Sequence, residues 1–148
     1  MQEPTRDALV AHLADEARHA SDAGGEGTDP GAVYDPVVEV GIGHRTAIAT
    51  DLAERGVPVT ATDVHERAVP DGVTFVCDDV TDPDRGVYAD ATAIYALNCP
   101  PELHRPALDL ARAVDAALLF TTLGGDPPAV PVERHTLPGE TLFVAKPE

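Results

Sequence analysis

Lysine is almost missing from this sequence: Lys146 stands alone beside nine arginines. No run of basic residues exists to neutralise a row of phosphates, which argues against a bare nucleic-acid-binding face. Cysteine is scarce. Cys77 and Cys99 are too few for a disulfide scaffold and are not spaced as zinc ligands; they suit a reducing compartment. His12, His19, His44, His65 and His135 show no metal-ligand spacing either, so no metal is expected. No apolar run reaches the roughly eighteen residues of a membrane span, and the N-terminal residues are polar and acidic rather than signal-like. The expectation is a cytoplasmic chain that does not enter a membrane.

What is abundant is acid. Twenty-six Asp and Glu face ten Lys and Arg, a formal net charge of -16 over 148 residues. Such a surface repels itself in dilute buffer. The Debye length falls from about 10 Å at 0.1 M salt to about 3 Å at 1 M, which removes most of that cost. The composition therefore reads as that of an extreme halophile with a salty cytosol. The length suits one domain that buries about two-thirds of its unfolded surface.

Residues 5–20 read as a helix, with Leu9, Leu13 and Ala17 at four-residue spacing. Residues 21–32, rich in Gly, Asp, Ser and Pro without an apolar anchor, read as a flexible acidic linker that lets this helix fold back. Residues 33–148 then form the main domain. Val37–Val40 is a short apolar strand ending in Gly41-Ile42-Gly43, and a helix follows from Thr46 to Arg55, stopped by Gly56. Val57–Ala61 is a second strand reaching Thr62-Asp63, with Pro58 at its beginning or on a free edge. Val73–Cys77, Ala91–Leu97 and Ala116–Thr121 are further strands. Pro101–Val114 is a helix whose buried stripe is assigned to Leu103, Leu108, Ala111 and Leu110. Val130–Thr136 and Thr141–Ala145 flank Leu137-Pro138-Gly139-Glu140 as an antiparallel hairpin at the sheet edge. This alternation predicts an α/β fold: a doubly wound, mostly parallel, Rossmann-like sheet with a C-terminal antiparallel hairpin. In such sheets the ligand crevice lies at the carboxyl ends of the strands, beside the first.

The chemistry-bearing residues fall on that rim. Gly41 and Gly43 suit a sharp strand-to-helix turn that a ligand backs onto closely, and a helix N-terminus follows. Asp63 lies 20 residues beyond Gly43, near the usual separation of a ribose-binding carboxylate; the alternative is a cap for Val64–Arg67. In a methyltransferase-like reading Glu39 supports the loop or the cofactor's amino group; otherwise it accepts N–H groups of the turn. Asp78 and Asp79 either accept from an adenine amine or form an Asx-turn into Thr81-Asp82-Pro83. Arg45 meets an anion or points to solvent. Asn98-Cys99-Pro100-Pro101 is a rigid turn, or a departure from the Asn/Asp-Pro-Pro-aromatic turn that holds a target nitrogen in amino-group methyltransferases. Tyr95, Asn98 and Glu102 are the candidates for catalysis; His104 is assigned to the helix surface.

Taken together, Val37-Val38-Glu39-Val40-Gly41-Ile42-Gly43, Thr62-Asp63, Asp78-Asp79-Val80-Thr81, Ile94-Tyr95 and Pro100-Pro101-Glu102-Leu103-His104 resemble an archaeal group, uncharacterised protein family 0146, over roughly residues 33–146. The resemblance implies the fold of class I S-adenosylmethionine-dependent methyltransferases. It places Glu39, Gly41, Ile42 and Gly43 on the first cofactor motif, Asp63 with Val64 on the ribose position, and Asp78 with Asp79 on the adenine position. Arg45 stands where the third glycine of that pattern falls, and Gly124–Pro128 is too short for a helix after the fifth strand. A shallow, open site is expected. Three readings follow: a small methyltransferase holding S-adenosylmethionine; a nucleotide-binding regulatory or partner module without chemistry, taking NAD on the same loop; and a fold member that acts through contact with a protein partner or a second copy.

The composition carries its own test: the thermal unfolding midpoint rises steeply with potassium chloride from about 0.1 to about 3 M. Greater stability at the low end would contradict the halophilic reading.

Overall fold

A computed structural model describes residues 2–18 and 33–146. The expected linker at 21–32 lies outside the described residues. The elements run α1 (Glu3–Glu16), β1 (Val37–Val40), α2 (Ala47–Glu54), β2 (Val59–Asp63), β3 (Val73–Cys77), α3 (Arg85–Tyr88), β4 (Ala93–Ala96), α4 (Pro101–Ala113), β5 (Ala117–Phe120), β6 (Val132–Leu137) and β7 (Glu140–Ala145). One seven-stranded sheet carries them in the order β3-β2-β1-β4-β5-β7-β6. Neighbours from β3 to β5 are parallel, and β7 is antiparallel to both β5 and β6. The fold is therefore the doubly wound α/β sheet, with its hairpin at the edge, that the strand-helix alternation predicts.

Local chemistry explains the boundaries. Pro58 cannot donate to a ladder, so β2 starts just after it, while the Pro58 carbonyl accepts from Val37 N at 3.0 Å. The short helix α3 has no apolar period to announce it. It starts where the Asp84 side chain accepts from Gly86 N. On α4 the buried face is His104, Ala107, Leu108, Leu110 and Ala111. His104, expected on the surface, is fully buried, and Leu103 is only partly so. Residues 104, 107, 108 and 111 complete one helical stripe, and 103 falls to its side.

The core lies in two layers. Leu9, Leu13, Ala49 and Leu52 from α1 and α2 pack on one face of the sheet with Val37 and Tyr95. On the other face Tyr88, Leu108 and Ala111 pack with Val38, Ile94 and Phe120. The chains leaving β1 and β4 thus turn to opposite faces, opening the crevice at the carboxyl ends of these strands. Helix α1 is part of the first layer. Arg6 Nε and Nη2 donate to the two carboxylate oxygens of Asp51 on α2, at 2.6 and 2.7 Å. The Thr5 hydroxyl donates to the Pro138 carbonyl in the β6–β7 turn. Asp35 N reaches back to Ala17 O at 2.7 Å, tying the end of this segment to the approach to β1.

Apolar burial, rather than the half-exposed Arg6–Asp51 pair, holds α1 down. Leu13→Ala is expected to cost about 2–5 kcal/mol, and Arg6→Gln far less, because the pair is solvent-exposed and screened by salt. Denaturant titrations in high salt compare the two; equal losses would assign the docking to the ion pair.

Candidate functional site

The turn after β1 is built by backbone. Gly41 and Gly43 sit at φ +71° and +56°, in the left-handed region where a side chain is strained. A Cβ built on either meets nothing within 4 Å. Dihedral angle, not crowding by the protein, demands glycine here, and the space before both residues is open. Gly41 N and Ile42 N donate to Thr62 O at 2.9 and 3.1 Å, while Ile42 O accepts from Arg45 N at 3.3 Å. The Ile42 side chain is buried in the first core layer, where it anchors the loop.

Asp63 completes the turn from the end of β2. Its Oδ2 accepts from Gly43 N at 2.9 Å and its Oδ1 from His65 N at 3.1 Å. The carboxylate therefore faces the glycine loop and also caps the segment that follows it. Burial works to raise its pKa, but the N–H groups of His65 and Gly43 and the charge of Arg67 outweigh it and hold the group below the usual value. Arg67 escaped the sequence reading, although its four-residue spacing from Asp63 was visible. Its Nε lies 3.5 Å from Asp63 Oδ2, buried and without a hydrogen bond, and its Nη1 donates to His44 Nε2 at 3.1 Å. The guanidinium thus spans from the carboxylate to the glycine loop. Val64, next to Asp63, is 56% exposed.

Glu39 is 1% exposed, and its Oε1 accepts from the Tyr95 hydroxyl at 2.8 Å. The turn's N–H groups go to Thr62 and Asp63, so Glu39 is not their acceptor, contrary to one of its expected roles. Burial pushes its carboxyl up to about 8 against a partial opposing effect of the Tyr95 hydrogen bond. Tyr95 is itself fully buried, and burial and Glu39 drive its hydroxyl well above the usual range.

Asp78 and Asp79 are occupied in their own loop. Asp78 accepts from Asp84 N at 3.0 Å and, at 2.6 Å, from the hydroxyl of the buried Tyr88. Asp79 Oδ1 accepts from the backbone and hydroxyl of Thr81, an Asx-type turn that holds this carboxylate below its usual pKa.

Beside the glycine loop, on the α1 side, lies a cavity of about 1120 Å³ lined by Arg6, His44, Arg45, Thr46, Asn98 and Thr121 among others. Its walls include α1 and the β6–β7 turn, which the sequence could not place there. Asn98 has φ +52° and is held there as its N–H donates to Thr121 Oγ1 at 2.8 Å; its side-chain amide bonds to none of the described residues. Arg45 is exposed, and its guanidinium has no partner among the described residues.

The three candidates for catalysis are not brought together. Tyr95 is in the core, Asn98 is on the cavity wall, and Glu102 is exposed on the first turn of α4. His104 joins two rim loops: its Nδ1 accepts from Ala129 N at 3.0 Å, which leaves Nε2–H to donate to Cys99 O at 2.9 Å. The neighbouring Cys99 thiol is buried and pushed up to about 11 by burial and, less, by Glu102. Among the described residues no three His, Cys, Asp or Glu side chains gather for a metal ion, and no helix is long and apolar enough to cross a membrane.

Comparison with known proteins meets this geometry from outside. The model of an uncharacterised protein family, UPF0146, matches residues 31–148. A UPF0146 protein of Halobacterium salinarum is 58% identical over 116 residues, covering 78% of this chain and 90% of the relative. Its source accords with the halophilic reading of the composition. A UPF0146 protein of Archaeoglobus fulgidus is 50% identical over 90 residues, 61% of this chain and 69% of the relative. Among solved structures, an RNA methyltransferase from Salinibacter ruber in complex with S-adenosyl-L-homocysteine superposes with a TM-score of 0.61 at 14% identity, covering 98% of this chain and 91% of its own. That likeness is one of fold.

Glu39 gives the site a pH signature. Its folded-state pKa lies above the ordinary 4.5, so the folded chain keeps a proton that the unfolded chain loses. The corresponding stability is complete below pH 4.5 and is lost as pH rises to about 8. Denaturant unfolding of Glu39→Gln across that window is expected to show a shallower fall with pH than the unsubstituted chain. Parallel slopes would place the buried proton elsewhere.

Proposed function

The chain belongs to the uncharacterised protein family UPF0146, and from that premise we propose that it binds a small adenosine-bearing ligand of the S-adenosylmethionine type at the glycine turn. The observation that carries this reading is the Asp63 carboxylate turned onto Gly43 N at 2.9 Å, with open space before Gly41 and Gly43. Such a ligand rests its sugar against Asp63, which shares or exchanges Arg67 for the ribose hydroxyls. The adenine lies on exposed Val64, toward Asp78 and Asp79. Glu39 sits beneath the turn with Gly41, Ile42 and Gly43 as the platform above it. Methyltransferase-like neighbours in fold, one holding S-adenosylhomocysteine, support the ligand class.

The activity proposed is methyl transfer to a molecule seated in the cavity beside the loop. When bound, S-adenosylmethionine supplies an electrophilic methyl group. This chain's own residues hold and orient: Asn98 offers a free amide, Arg45 a free guanidinium, and α1 excludes water from one side. In-line positioning carries such a reaction without a strong base. A second reading has a specific observation in its favour. Tyr95 is buried, His104 has both nitrogens engaged and Glu102 lies outside the cavity, so none of these acid–base groups faces it. That suits a nucleotide-binding partner module taking NAD on the same loop.

Titration calorimetry in multimolar salt separates them. S-adenosylhomocysteine is expected to bind in the micromolar range, and Asp63→Ala to weaken it about 10- to 100-fold, the loss of charge-assisted hydrogen bonds. Binding of NADH with indifference to S-adenosylhomocysteine selects the second reading. Silence toward both below millimolar concentration overturns the adenosyl site.

A further inference from the structure

His104 stands at a junction that the positioning chemistry above does not use. It lies near the start of α4, is fully buried, and sends both ring nitrogens to backbone. The amide of Ala129 can only donate, so the nitrogen it meets at 3.0 Å, Nδ1, carries no proton. The neutral ring then keeps its proton on Nε2, which donates to Cys99 O at 2.9 Å. One ring therefore ties the turn after β4 to the loop between β5 and β6.

The turn after β4 needs that tie. Asn98 sits at φ +52°, a left-handed conformation that asparagine tolerates better than most residues but does not prefer. Cys99 precedes Pro100 and is pushed toward extended backbone. Thr121, just past β5, takes both amides of this stretch. Its Oγ1 accepts from Asn98 N and its carbonyl from Cys99 N, each at 2.8 Å. The carbonyl of buried Cys99 is left, and His104 supplies its donor. Asn98 and Thr121 both line the cavity. Two residues beyond Thr121, in the loop that the other nitrogen of His104 anchors, Leu123 is 66% exposed.

We propose that His104 is the positioning residue of this rim: as a neutral ring it holds the turn that sets Asn98 on the cavity wall and clasps the β5–β6 loop, and in acid it releases the loop but not the turn. This rests on the reading of the cavity as the acceptor site and deepens it by naming what keeps Asn98 there. Protonation adds a hydrogen to Nδ1. The N–H groups of His104 and Ala129 then face each other, and the bond to the loop is lost. Nε2–H goes on donating to Cys99 O, now as a charge-assisted bond, so the turn keeps its tie.

The surroundings offer the charged ring no partner among the described residues. From β5 it meets the ring of Phe120 at a centroid distance of 4.3 Å, with Phe143 of β7 beyond and Arg134 of β6 stacked on Phe143. The turn after β4 brings the Cys99 thiol, whose proton burial retains. On α4 itself Glu102 is exposed, and Arg105 and Asp109 pair with each other at 3.5 Å. Asp126, the one charged residue between Thr121 and Pro131, is exposed. The ring's two hydrogen bonds both end on backbone, so its own charge decides which of them survives.

Nuclear magnetic resonance of the full, isotope-labelled chain without ligand, in multimolar potassium chloride, reads both ends of the clasp. In mild alkali the ring of His104 is expected to show the Nε2–H form. From about pH 8 to about pH 5 the exchange protection of the Ala129 amide, corrected for its intrinsic rate, falls about tenfold, the scale of one buried hydrogen bond, while that of Cys99 holds. His104→Gln, whose uncharged amide offers a donor and an acceptor, keeps both ends and removes the pH dependence. His104→Leu lowers protection at Ala129, Asn98 and Cys99 together and shifts the side-chain amide signals of Asn98. Where the leucine variant does not fold, the glutamine comparison decides. An Nδ1–H ring, an Ala129 amide indifferent to pH, or a pH dependence that persists in His104→Gln overturns the inference and leaves the adenosyl site standing. Silence toward S-adenosylhomocysteine in calorimetry overturns that site without touching this result.

Discussion

One hydrogen bond organises the rim of this sheet. The Asp63 carboxylate at the end of β2 accepts from Gly43 N on the turn after β1. It also accepts from His65 N, so the same side chain sets the exit from β2. Gly43 presents its N–H to that acid in a conformation at φ +56° that a residue with a side chain resists. Thr62 O binds the two preceding amides of the turn. The two strand ends, the start of α2 and the mouth of the cavity are thus registered by the last two residues of β2.

Around this joint, polar groups divide into those consumed by the scaffold and those left over. Tyr95, Tyr88 and His104 are fully buried, and each holds another part of the rim: Glu39, Asp78, and the loops at Cys99 and Ala129. Asn98 and Arg45 are left over, and both border the cavity.

The acidity of the chain acts on a different scale. A net charge of -16 governs how the molecule meets its solvent. The rim meanwhile concentrates arginine and histidine at residues 6, 44, 45 and 67, close to the loop and the cavity. In strong salt, long-range attraction is screened and direct contact persists. At this rim the interactions that persist are therefore the close-range ones, such as those of the glycine turn with Asp63.

Much of this was legible in the chain itself. Strand-helix alternation, the apolar run Val37–Val40 and the two glycines after it determined a doubly wound sheet with a rim at Gly41. Those features act between neighbours in sequence, and steric and hydrophobic preference is enough to express them. The hairpin around Pro138-Gly139 and the end of β2 at Asp63 were legible for the same reason. Tertiary structure alone decided which way the polar groups face. Glu39 turned to Tyr95, 56 residues away, rather than to its adjacent loop. His104 left the helix surface for two backbone partners because its neighbours at 107, 108 and 111 carry the stripe inward. Helix α1 became a cavity wall only once Leu9 and Leu13 found α2. A hydrogen bond or a packed layer between distant residues depends on where the folded backbone brings them, and no local pattern in the sequence encodes that distance.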